Sequence, residues 1–135
     1  MKKQAEEFEK KIHLLKEARL QLLKLHKQLV DVERENYENE YGQITSGYFL
    51  NLLVDDKNFS WLRKFSTLIV EIDEMLDLDD GYTENMIEKQ LSEMRNLLNL
   101  ENANGDFKTK YQNALQNNAE IAGKHGELKI LLAAK

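Results

Sequence analysis

The chain contains no proline, and its first glycine is Gly42. Proline stops a helix most reliably and glycine comes next, so nothing in residues 4–41 interrupts one. The apolar residues are spaced for it. Phe8, Leu15, Leu22 and Leu29 recur every seven residues, and Ala18, Leu25 and Val32 stand three positions beyond the last three. At helical pitch these positions share a face. Ile12, Leu23, Val30 and Tyr37 add a second stripe, making the face broad enough for a bundle core. The expected fold class is all-α, a bundle of about five to six helices built on one long N-terminal helix. Residues 1–135 are expected to form one domain.

Glycines and polar clusters punctuate the remainder. Residues 42–47 read as a break, with Thr45 or Ser46 as N-cap, and residues 47–55 read as a short buried helix. Asn58 is placed to cap a third helix, about 59–77, carrying Phe59, Leu62, Phe65, Ile69, Ile72 and Leu76 on one face. Trp61, Leu68 and Met75 extend that apolar surface, which predicts a central position in the bundle. Thr83 caps a fourth helix near 84–100, with Ile87, Leu91, Met94 and Leu98 inward. Asp106 is expected to cap a fifth helix holding Phe107, Tyr111, Ala114 and Leu115. Residues 106–133 read either as one helix or as two divided at Asn117-Asn118, the later part carrying Ile121, His125, Leu128 and Leu132. The first helix would be about 55 Å long, roughly twice the third or fourth. Either the C-terminal helices fold back along residues 5–20, or that half forms a homodimeric coiled coil. The intramolecular option is preferred, because Phe107 to Leu132 otherwise lack a surface to bury against.

Two segments carry a resemblance. They are Leu25-His26-Lys27-Gln28-Leu29-Val30-Asp31-Val32-Glu33-Arg34 followed by Tyr37-Glu38, and the run from Phe59 to Glu74 with its Trp61-Leu62-Arg63 and Ile72-Asp73-Glu74 pieces. Together they resemble an uncharacterised family of small bacterial all-helical proteins. The resemblance covers about residues 20–130 and implies an all-α fold and a bacterial origin. It implies no activity.

Residue chemistry excludes more than it nominates. Without cysteine there is no disulfide, zinc ribbon or thiol nucleophile. No apolar run approaches the ~18 residues of a membrane span, and a net charge of −5 argues against nucleic acid. A soluble, cytoplasmic protein is expected. A ferritin-like di-metal site needs Glu three residues before His. Lys10, Leu23 and Ala122 occupy those positions before His13, His26 and His125. The Asp77-to-Glu88 segment puts Gly81 at position five, where a calcium loop needs glycine at six. No metal or cofactor is expected. Arg19, His26 and Glu33 lie on one flank of the first helix, with Tyr37 a turn beyond. With His125 they define a candidate polar cluster for a ligand or a proton relay, and hydrogen-bonded structural histidines are the simpler reading.

Charge is uneven. Residues 55–101 hold twelve acids and five bases, whereas residues 1–40 hold nine of each. Trp61, Arg63, Asp73, Glu74 and Asp77 form a candidate partner surface for a basic protein segment. The expected function is that of a non-catalytic interaction or homo-oligomerisation module, with a protein partner or a second copy engaged through residues 5–20. A small-ligand or metal-binding protein using His26, Glu33 and Tyr37 is the alternative.

Overall fold

The computed structural model describes residues 2–133 and contains six α-helices, with no strand among the described residues. The opening helix, α1 (Lys2–Tyr41), runs unbroken. It ends at Gly42, whose φ of +95° suits glycine far better than an L side chain. The Gly42 N–H donates to the Glu38 carbonyl at 2.8 Å. Glu38 then accepts from the Ile44 N–H at 3.0 Å, and Arg34 donates to the Ile44 carbonyl at 2.9 Å, so the last turns of α1 bind the loop they feed. Thr45 Oγ1 caps α2 (Ser46–Asp55) by accepting from the Tyr48 N–H at 3.1 Å.

Helix α2 departs from expectation. Of its residues only Phe49 is buried, while Leu50 and Val54 are 60% and 58% exposed. It lies across the end of the bundle and touches chiefly the next element, through Phe49 set edge-on against Phe59 at 5.8 Å. One row of contacts buries one face, and no second layer covers the other.

The third helix also begins differently. Asp56, not Asn58, supplies the cap, its carboxylate accepting from the Asn58 N–H at 2.8 Å. A 3-10 turn (Lys57–Leu62) precedes α3 (Arg63–Leu76). Three residues per turn align Phe59 with Leu62 and deliver both, with Trp61, into the core. Thr83 caps α4 (Glu84–Leu98), accepting from the Met86 N–H at 3.2 Å. Next comes α5 (Gly105–Asn117), preceded by Asn104 rather than Asp106. Asp106 sits inside the first turn and pairs with Lys110 at 3.2 Å, where its charge still complements the helix dipole. The chain breaks at extended Asn118 and finishes in α6 (Ala119–Ala133).

The inward face of residues 8–20 packs against other helices of the same chain. Helix α3 runs antiparallel to α1, bringing Asp73 to Arg19 and Phe65 to His26, and α4 doubles back so that Glu84 and Glu88 meet Lys11. Helix α6 returns along α1, with Lys124 Nζ 2.9 Å from Gln21 and Leu132 beside Leu14. The rod therefore has α3, α4 and α6 around its first half and the 3-10 turn farther along. The central element is α1 rather than α3, whose outer side leaves Val70 in solvent. One connected core extends from Ile12 to Leu132. Leu23 of the proposed second stripe is outside it, since it faces outward between the helices packed on α1.

Candidate functional site

The five residues of the candidate polar cluster do not converge. Arg19 and Glu33 share a flank of α1, but fourteen residues separate them by about 21 Å along a helix. Arg19 makes a two-pronged ion pair with Asp73, at 2.7 and 2.9 Å. His26 is half-buried against the Phe65 ring, and desolvation lowers its pKa. Tyr37 belongs to a tyrosine group with Tyr41 and Tyr48. Its hydroxyl lies 3.4 Å from that of Tyr48, a contact that holds its pKa up at about 12. His125 is elsewhere, with Nδ1 2.6 Å from the Tyr111 hydroxyl.

Tyr111 is the partner that sequence reasoning missed. It is fully buried among Trp61, Phe65 and Phe107, with ring centroids 6.1, 5.2 and 5.7 Å away. Burial pushes its hydroxyl pKa upward and lowers that of His125, with Lys129 adding to the latter. A neutral phenol and a neutral imidazole therefore satisfy one another at the edge of an aromatic core, which is structural chemistry.

The candidate partner surface also dissolves. Trp61 is 3% exposed and belongs to that core rather than to an interface, because the 3-10 turn rotates it inward. Arg63 donates to the carbonyls of Leu53 and Val54 and so terminates α2. Asp73 is held by Arg19. Glu74 and Asp77 are exposed near the C-terminal end of α3, and Arg63 is exposed at its start, where its guanidinium is turned to α2.

Two other surfaces stand out. At the α1–α2 end, Tyr41, Tyr48, Leu50 and Val54 are each more than half exposed. Residues 35–56 around them contain Glu35, Glu38, Glu40, Asp55 and Asp56 and no lysine or arginine. The second surface is a pair of clefts where α1 faces the α5–α6 junction, about 490 and 400 Å³ in volume. They meet at Val32, Asn117 and Asn118. Glu33 lines one, half-buried, with burial raising its pKa and Lys110 partly offsetting this. Gln28 lines the other, and its buried side-chain oxygen has no hydrogen-bond partner among the described residues. No sequence signal marked the first cleft, because its five asparagines come from α1, the 3-10 turn, α5 and the α5–α6 junction and meet only in the fold.

Among the described residues no group of three or more His, Asp or Glu is placed to hold a metal ion, and no helix is long and apolar enough to cross a membrane. Comparison of the chain with protein-family models, curated proteins and solved structures found no match.

Proposed function

We propose that this protein is a non-catalytic interaction module that binds a protein partner through α2 and the last turns of α1. One observation carries the reading: α2 has the composition of an interior helix and the location of a surface one. Apart from its terminal Asp55 it contains no charged residue, yet it buries only Phe49. A helix apolar around its circumference is normally enclosed, and exposed apolar patches with aromatic members mark binding surfaces. The occupant is a segment with apolar anchors flanked by lysine or arginine, because the charged residues within 35–56 are all acidic, while the adjoining Arg34 and Arg63 are turned to backbone carbonyls of the loop and of α2. A second copy fits less well, since a two-fold contact through this patch sets the same acids against each other.

Site-specific photocrosslinking tests it. A crosslinker at Leu50 or Val54 is expected to capture one protein, and one at Val70 is expected to capture none. The purified pair should bind directly, weaken with salt, and lose affinity about tenfold or more in Leu50→Lys/Val54→Lys. Capture of another copy of this chain, or binding indifferent to those substitutions, overturns the reading.

A further inference from the structure

We infer that the paired clefts between α1 and the α5–α6 junction form a binding site for an organic cation, an alkylammonium or guanidinium group. Donors and acceptors in the clefts are not balanced. Lys110, the cation that lines the first cleft, is already committed: its Nζ donates to the Asn58 carbonyl at 2.8 Å and pairs with Asp106 at 3.2 Å. The side-chain amides of Asn117 and Asn118 donate to the carbonyls of Asn113 and Ala114, at 2.9 and 3.1 Å. Those bonds leave the two amide oxygens free to accept.

Two acceptors lack a donor among the described residues. Gln28 Oε1 is buried and unpartnered. The Glu33 carboxylate is half-buried in the cleft, where desolvation raises its pKa and the Lys110 charge only partly offsets this. An unpaired buried acceptor and a desolvated carboxylate each cost free energy unless a donor arrives. Anions are disfavoured by Glu33 and Glu35, and metal ions by the lack of a third converging ligand. A positively charged group rich in N–H donors supplies what the Glu33 carboxylate and the Asn117 and Asn118 amide oxygens lack, and charge-assisted bonds of this kind are the strong ones. The break at Asn118 makes the site: it turns the chain between α5 and α6 and sets two adjacent amides opposite residues 28–33 of α1.

The same chemistry comes from a free polyamine or from a lysine or arginine side chain of a protein, and titration distinguishes them. Spermidine and an arginine-containing peptide are added separately to ¹⁵N-labelled protein at physiological salt. Saturable shifts are expected at residues 28–33 and 117–120 with at least one probe. Saturation by spermidine identifies a small-molecule site, and saturation by the peptide alone identifies a side-chain pocket. Glu33→Gln should weaken binding about tenfold without lowering the melting temperature, and Glu74→Gln, on α3, should leave binding unchanged. Uniform, non-saturating shifts over the acidic surface, or full affinity in Glu33→Gln, overturn the inference.

Discussion

The Tyr111 hydroxyl and His125 Nδ1 lie 2.6 Å apart, joining α5 to α6. Burial lowers the pKa of His125 and also that of His26, on the other side of Phe65. Below the ordinary imidazole value of 6.5 the unfolded chain therefore binds protons that the folded chain refuses. Stability rises with pH wherever the unfolded state holds more protons. The contribution of each neutral histidine is thus fully present above 6.5 and is lost as pH falls through its lower folded pKa. The melting temperature should drop over this window in calorimetry, and less steeply in His125→Gln. Glu33 acts in the opposite sense, its folded pKa being raised above 4.5, so the comparison is cleanest in a Glu33→Gln background. Identical slopes with and without His125 would contradict the assignment.

Arg19 and Asp73 give a second prediction. Their two bonds fix α3 against α1, but the side chains are 27% and 47% exposed, so solvent screens the pair. A double-mutant cycle with Arg19→Met and Asp73→Asn should return a coupling of no more than about 1 kcal/mol, shrinking with added salt. A coupling several times larger would mean that the pair is more deeply desolvated than its exposure implies.

Packing makes the contrast between core and α2 measurable. Leu22 is fully buried and Ile69 nearly so, and truncating either to alanine should cost about 2–5 kcal/mol in chemical denaturation. Trp61→Ala should cost about 3–5 kcal/mol as an aromatic removed from a packed cluster. Val54→Ala should fall within about 0.5 kcal/mol. If Val54→Ala destabilised as much as Leu22→Ala, the outer face of α2 would not be free.

Gly42 supplies a backbone test. With φ at +95° and open space where a side chain would stand, an added methyl group meets strain and no clash. Gly42→Ala should therefore cost about 1–2 kcal/mol, and Gly42→Asn, which tolerates this region better, should cost less. Equal penalties for the two would point to lost contacts instead of backbone conformation.

Much of the architecture could be read residue by residue. Seven-residue spacing from Phe8 to Leu29, with no proline or early glycine, specified a rod and the side of it that would be buried. The threonines at 45 and 83 announced helix starts because capping is a contact over three residues. These signals act within a turn or two, so they survive without knowledge of the fold.

What remained hidden depends on contacts across the chain. The flank bearing Arg19, His26 and Glu33 was real, yet helical rise spreads it too far for one site, and Arg19 and His26 take partners that α3 supplies. Trp61 had a plausible place on either side of the surface until the 3-10 turn set its rotation. Helix α2 looked interior because its own residues are apolar, and whether a helix is covered is decided by what else reaches it. Periodicity determined the elements and the faces they offer. Only their packing decided that Tyr111 would meet His125, that Gln28 and Glu33 would look onto the α5–α6 break, and that α2 would keep an apolar face in solvent, because burial and pairing are properties of segments brought together and not of a segment alone.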